Sequence, residues 1–371
     1  MENLKNNTVY IHIPFCEEIC SYCDFCKFYY NKDIVDKYLV ALKKEIKLRY
    51  KGENINNIYI GGGTPSCLSK IQIKELLGIT NLFNKDIKEF TFECNIENIT
   101  EDKVKILKEY GVNRISLGVQ TFNNKFLNFL NRKHTSREVK NKINMIKKYI
   151  NNINIDIIYA IPGETIEDIE NDISEYLKLD IEHISTYSLI IEKNTILNNL
   201  KVEYIDDELD YKMYKKICSI LKNNGYNHYE ISNFAKKGYE SKHNLVYWNN
   251  EHYYGFGLSA SGYIDNIRYT NTKTINKYLS GEYIKEEESL NINETIENEF
   301  ILGFRKLKGI SINKLKKKYN LDITKIDFIN KLLEEKKIII KNNYLSIRNK
   351  YIYVSNDILL EFMGVDYEKY I

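Results

Sequence analysis

Between Thr8 and Ile190 the chain repeats one unit: a short run rich in β-branched residues, then a longer stretch whose apolar residues fall at helical spacing. The runs are Thr8–Phe15, Asn57–Gly61, Phe90–Cys94, Arg114–Gln120, Ile153–Ala160 and His183–Ile190. Strands joined by helices pair in parallel, because the helix carries the chain back to the end where the previous strand began. The expected fold class is therefore α/β, with the strands forming either a partial barrel or an open doubly wound sheet. Either arrangement presents the carboxyl ends of its strands to a ligand. Those ends hold Cys16, Gly61–Thr64, Glu93, Gln120 and Asp156.

At 371 residues the chain accommodates this unit and a smaller one. A helix is expected over Asp206–Asn223, followed by a Tyr- and His-rich region to about Tyr269 that extends the sheet. Beyond the acidic stretch Glu286–Glu288 the pattern changes to helices over Thr295–Lys306, Ile312–Lys317 and Ile326–Glu335. Two β runs then flank Asn342–Asn343 within Lys337–Arg348. The expected organisation is the parallel α/β unit, a partial barrel or a doubly wound sheet, with a cysteine loop over 1–205, a sheet extension over 206–288 and a small winged-helix-like domain over 289–371. A net charge of +3 and no clustered Arg/Lys face argue against a nucleic-acid partner, so this last unit is expected to pack or to meet a protein. The apolar stretch Val9–Phe15 is too short for a signal peptide and contains His12 and Pro14, and no run reaches membrane-spanning length. Seven cysteines, an odd number with four packed between Cys16 and Cys26, do not resemble a secreted disulfide scaffold. The expected compartment is the cytoplasm.

The spacing Cys16-x-x-x-Cys20-x-x-Cys23 lies just beyond the first strand, where a loop can fold three thiolates around one centre. Thiolates are the ligands of iron–sulfur clusters, and three of them on a four-iron cube leave one iron open to a small molecule. Cys26 allows two other readings. It could close the cluster as a fourth ligand, or Cys20, Cys23 and Cys26 could hold zinc.

The cysteines follow Tyr10-Ile11-His12-Ile13-Pro14-Phe15, Tyr22 precedes Cys23, and the second strand ends in Gly61-Gly62-Gly63-Thr64-Pro65. This constellation resembles the radical S-adenosylmethionine enzymes, and within them the oxygen-independent coproporphyrinogen III oxidase group. The resemblance runs through nearly the whole chain. It implies a partial (β/α)6 TIM-like barrel with a sheet extension and a small C-terminal domain. It also implies a [4Fe–4S] cluster on Cys16, Cys20 and Cys23, whose open iron chelates S-adenosylmethionine. Gly62, Gly63 and Thr64 match the group's glycine turn, Glu93, Gln120, Arg132 and Asp156 its polar cofactor positions, and Tyr10 and Tyr22 its aromatic contacts. Taken singly, Arg132 could be a surface charge, Gln120 a strand-end hydrogen bond and Asp156 a helix-side cap.

Two features divide the group. The oxidases resembled carry a further cysteine two positions after the third ligand and a long N-terminal arm; here that position is Phe25, and 15 residues precede Cys16. Cys26 falls one residue too late. The segment His243-Asn244-Leu245-Val246-Tyr247-Trp248 is similar to the HNxxYW segment of the group's other branch, the HemW-type heme chaperones. An imidazole can ligate heme iron and aromatic rings can cover a porphyrin, which makes His243 the candidate heme ligand; the alternative is a satisfied core histidine. The branch implies heme as cargo and heme-accepting apoproteins as partners, membrane respiratory complexes among them. It implies a cytoplasmic protein with peripheral membrane association, and leaves a homodimer admissible. The rival expectation is a radical enzyme that decarboxylates coproporphyrinogen III. Tyr229–Phe234 and Gly255–Ala260 would line a cavity or form ordinary strand and turn, and His12 would pack behind the cysteine loop.

Overall fold

Each of the six runs forms a strand in the computed structural model, which describes residues 7–371. The strands are β1 (Asn7–Ile13), β2 (Ile55–Gly62), β3 (Lys85–Asn95), β4 (Arg114–Gln120), β5 (Asn152–Tyr159) and β6 (His183–Ser188). They lie side by side in chain order with every pair parallel. A doubly wound sheet reverses its strand order at the ligand crevice. The unbroken order here places successive right-handed crossovers on one face, which is the winding of a partial (β/α)6 barrel.

Side-chain alternation then sorts the two faces. Val9, Ile11, Ile58, Ile60, Ile115 and Ile155 are fully buried in one core with helix residues such as Leu39, Leu76, Val104 and Ile143. The intervening positions, Tyr10, Tyr59, Glu93, Ser116 and Asp156, turn to the other side. The helices start where side chains cap them: Thr135 and Thr165 form capping boxes with Glu138 and Asp168.

The Tyr- and His-rich region extends this sheet at both edges. β7 (Asn227–Glu230) and β8 (Asn233–Ala235) continue antiparallel beyond β6. At the opposite edge β9 (Tyr253–Phe256) pairs parallel with β1, and β10 (Ser261–Ile264), β11 (Ile267–Asn271) and β12 (Ile284–Ser289) follow antiparallel. The result is a twelve-stranded sheet. Glu286–Glu288 thus lie on its outermost strand, where charge discourages edge-to-edge pairing. Beyond it, the helices Ile292–Gly303, Ile312–Tyr319 and Asp327–Glu334 and the strands β13 (Ile310–Ser311), β14 (Ile338–Lys341) and β15 (Tyr344–Ile347) enclose a separate core that includes Ile296, Phe300, Phe304 and Leu345. Asn342 and Asn343, at φ 49° and 65°, make the tight turn between β14 and β15. Among the described residues no helix is long and apolar enough to cross a membrane.

One buried carboxylate ties the extension to the barrel. Glu45, fully buried on the helix Lys32–Arg49, accepts hydrogen bonds from Gly257 N (2.8 Å), Tyr278 Oη (2.6 Å), Asn271 Nδ2 (2.7 Å) and Arg49 Nη1 (2.5 Å). Its removal takes the acceptor from the buried Gly257 N–H and Tyr278 hydroxyl, takes one of two acceptors from Asn271 Nδ2 and Arg49 Nη1, and leaves the mostly buried guanidinium without its counter-charge. Glu45→Ala is expected to lower unfolding free energy by about 3–5 kcal/mol, measured by urea denaturation; a loss below about 1 kcal/mol would show that these donors find other partners.

Candidate functional site

The site begins where β1 ends. Gly63 N–H donates to Ile13 O (2.9 Å) and Thr64 N–H to Phe15 O (2.8 Å), so the turn after β2 is stitched to the chain entering the cysteine loop. Gly62 has φ 118°, open to glycine alone, and its N–H donates to Glu93 Oε2 at 2.9 Å. A Cβ on Gly63 would stand 2.9 Å from Phe15 O and 3.0 Å from Cys16 Sγ. From the other side, Phe28 N–H bonds Pro14 O (2.7 Å) and Tyr30 N–H bonds Cys16 O (2.8 Å), closing the loop.

Three of the loop's thiols point to one place. Cys16, Cys20 and Cys23 line a cavity of about 140 Å³ together with Gly62, Gly63 and Thr64. Glu93, Gln120, Arg132, Asp156 and Tyr22 line the same cavity. It adjoins a second cavity of about 440 Å³, with Tyr22, Glu93, Gln120 and Asp156 on the wall of both. Thr64 Oγ1 lies 3.4 Å from Cys16 Sγ, and Arg132 Nη1 lies 3.3 Å from Cys20 Sγ. Cys26 is elsewhere, its Sγ 3.9 Å from Lys273 O. All seven cysteines are free thiols. Among the described residues no three Cys, His, Asp or Glu side chains converge as a single ion requires; in a four-iron cube each thiolate binds its own iron, so the sulfurs stand apart around the group. The donor set, the glycine cradle and the buried, unpartnered Nε of Arg132 together fit a cluster with an anionic ligand beside it.

The polar residues are held by partners that the sequence does not announce. Arg132 Nη2 donates to Glu97 Oε2 (3.1 Å) and to Gly118 O (2.9 Å), while Glu97 Oε1 lies 3.0 Å from His134 Nδ1. Burial alone would raise the Glu97 carboxyl; His134 and Arg132 outweigh it and hold it at about 2. Gln120 reaches the cavity through a register shift in β4, with φ 72°, and Gly118 leaves room for its amide. Glu93 accepts Tyr59 Oη at 2.5 Å. Burial, with Asp156 adding to it, nevertheless raises its carboxyl to about 7. Burial raises Asp156 as well.

Two expected site residues stand behind the cavity wall. Tyr10 lines neither cavity; its hydroxyl lies 2.9 Å from His12 Nδ1, and His12 Nε2 lies 3.1 Å from Cys26 O. His243, 2% exposed, stacks on Tyr59 at 4.6 Å and 29°, and its Nε2 lies 2.8 Å from Tyr247 Oη. Its helix, Lys242–Trp248, is capped from β3, where Glu89 accepts the N–H groups of Lys242 and His243, each at 3.0 Å. Tyr59 and Glu97 were not singled out in the sequence; His134, which with His12 could be mistaken there for a catalytic base, instead holds Glu97 and the carbonyl of Val119. An alternating position beside Gly61 was the one available signal for Tyr59; the pairing of Glu97 with residues 132 and 134 had none.

Glu93 provides a test on the metal-free protein. A carboxyl raised to about 7 in the fold, against an ordinary value near 4.5, makes the folded state bind the extra proton, so stability falls as pH rises through that window. Glu93→Gln removes this dependence. The melting temperature of the variant minus that of the wild type should grow in the variant's favour from pH 5 to pH 8; a constant difference would contradict the burial argument.

Comparison with known proteins gives the same picture from an independent direction. The sequence profile of the Radical SAM superfamily matches residues 10–175. The chain is 39% identical to the heme chaperone HemW of Lactococcus lactis subsp. lactis, covering 97% of this chain and 98% of the relative. It is 38% identical to the heme chaperone HemW of Bacillus subtilis, over 96% and 99%. Among solved structures it resembles the coproporphyrinogen III oxidase HemN of Escherichia coli, with a TM-score of 0.84 over 97% of this chain and 90% of that one. At 20% identity that likeness concerns the fold. This chain belongs to the HemW heme chaperone family of the radical SAM superfamily.

Proposed function

We propose that this protein binds heme and delivers it to heme-accepting apoproteins, membrane respiratory proteins among them, from the cytoplasmic side and with peripheral membrane contact. The observation that carries the reading is full-length similarity to HemW relatives. Phe25 supports it: a phenyl side chain 63% exposed beside both cavities, where the oxidase reading needs a thiol. Cys16, Cys20 and Cys23 would hold a [4Fe–4S] cluster. The Gly62–Thr64 turn, Glu93, Gln120, Arg132, Asp156 and Tyr22 would surround S-adenosylmethionine. Bound together, the two supply one-electron cleavage chemistry at the sulfonium.

The protein's own groups set the conditions there. Glu93 can meet an ammonium, and Arg132, braced by Glu97, can meet a carboxylate or thiolate charge. Tyr59 lines the larger cavity and Tyr10 backs it from behind, their rings 6.0 Å apart. For heme, His243 offers Nδ1. That atom is buried and unpartnered, and an orphaned lone pair costs less than an orphaned N–H, so the proton sits on Nε2 facing Tyr247. Ligation requires the helix Lys242–Trp248 to yield, because Tyr59 and Tyr247 enclose the ring.

Two measurements test this. In anaerobically reconstituted protein, Cys16→Ala, Cys20→Ala or Cys23→Ala should each abolish the cluster's visible absorbance, whereas Cys26→Ala should retain it; loss in the Cys26 variant would make Cys26 a ligand. Hemin titration with and without the cluster should saturate, and His243→Ala should weaken it at least several-fold. Absence of saturable binding by the wild type would remove the carrier function.

A further inference from the structure

A third cavity, of about 510 Å³, lies between the helix Asp207–Asn223, β7 and the segment Asn349–Tyr353 of the C-terminal unit. It shares no residue with the two cavities of the cysteine site, and the proposed cluster and cofactor arrangement makes no use of it. Three kinds of group meet on its walls.

The first is aromatic. The Tyr353 ring lies 5.0 Å from that of Tyr211 and 5.3 Å from that of Tyr214. The second is cationic: Lys215, Lys222 and Lys350 line the cavity and are exposed. Their neighbours Lys212 and Lys216 pair with Glu208 and Glu170 at 2.7 Å, whereas these three have no carboxylate partner among the described residues. The third is a pair of donors, with Cys218 Sγ 4.0 Å from His228 Nδ1. His228 Nε2 lies 3.0 Å from the carbonyl of Ile231, so Nε2 carries the proton and the Nδ1 lone pair accepts from the Cys218 thiol, a contact that iron would displace. Ligating imidazoles are commonly oriented through their second nitrogen in this way. Stacking on Phe234 at 4.2 Å and 12° fixes the ring plane.

Tyrosine rings tilted 45–53° against one another, cations without a carboxylate partner and an imidazole nitrogen free of its proton together recognise a planar ring that bears carboxylates and a metal. We propose that this cavity is a second holding site for heme, with the propionates on Lys215, Lys222 and Lys350 and the iron facing His228 and Cys218. The proposal rests on the heme-carrying reading above. It adds a place for the cargo separate from His243, at the junction between the sheet and the C-terminal unit.

The test titrates hemin and iron-free protoporphyrin IX separately into the full-length protein. The triple variant Lys215→Gln, Lys222→Gln, Lys350→Gln removes surface charge without touching the core. It should weaken both ligands by about ten-fold. His228→Ala and Cys218→Ser should weaken hemin and shift its Soret band while leaving protoporphyrin binding unchanged. His243→Ala should leave protoporphyrin binding intact. Hemin binding that responds to His243→Ala and to none of the other variants would overturn the second site and leave the carrier function standing. Absence of saturable binding of either ligand to the wild type would overturn the site and the carrier function together.

Discussion

The approach of the Gly62–Thr64 turn to the end of β1 is the contact on which the rest of the site depends. Backbone bonds from Gly63 and Thr64 fix the strand exit, and the missing side chain of Gly63 lets Cys16 sit against the turn. The far part of the cysteine loop is held by another region. Ser21 bonds Phe129 O and Leu130 O, Asn131 Nδ2 bonds Ile19 O, and Arg132 reaches Cys20. Residues more than a hundred positions apart therefore set how three thiols face one cavity. A loop tethered only at its own ends would retain freedom that the bound group would have to remove.

Charge follows the same plan. The barrel interior carries carboxylates that burial would keep neutral, and the structure treats them differently. Glu97 has a guanidinium and an imidazole beside it and stays ionised, whereas Glu93 has a tyrosine hydroxyl and a backbone amide and keeps its proton more readily. Tyr59 connects Glu93 to the ring of His243, and Glu89, four residues before Glu93 on β3, caps the helix that carries His243. The helix that carries His243 and the wall of the thiol-lined cavity are thus built on one strand. A shift of that helix acts directly on Tyr59 and so on Glu93.

Much of this was legible in the residues. The six strands and their parallel pairing followed from β-branched runs separated by helical spacing, and the site ends of the strands followed from polar residues where the core pattern breaks. The turn at Asn342–Asn343 and the helix over 207–223 were readable for the same local reasons. The choice between a doubly wound sheet and a partial barrel was not legible in that local pattern, which fixes strand identity and leaves strand order open; the family resemblance supplied the barrel. Nor was the place of β9 beside β1, a pairing of segments 245 residues apart by the register Thr8↔Tyr253.

The sequence by itself determined the class of the fold, the three-cysteine spacing and the family, since these rest on residue type and position along the chain. Only the tertiary structure decided which polar groups meet. It turned Cys26 away from the thiol-lined cavity, set Tyr10 and His243 behind the wall that Tyr59 forms, paired Glu97 with Arg132 and His134, and brought Cys218, His228 and Lys350 to one cavity. The reason is physical. Spacing constrains neighbours within a strand or a helix, whereas contacts between distant segments arise from how the sheet curls, where its edges are extended and which buried charges need a partner.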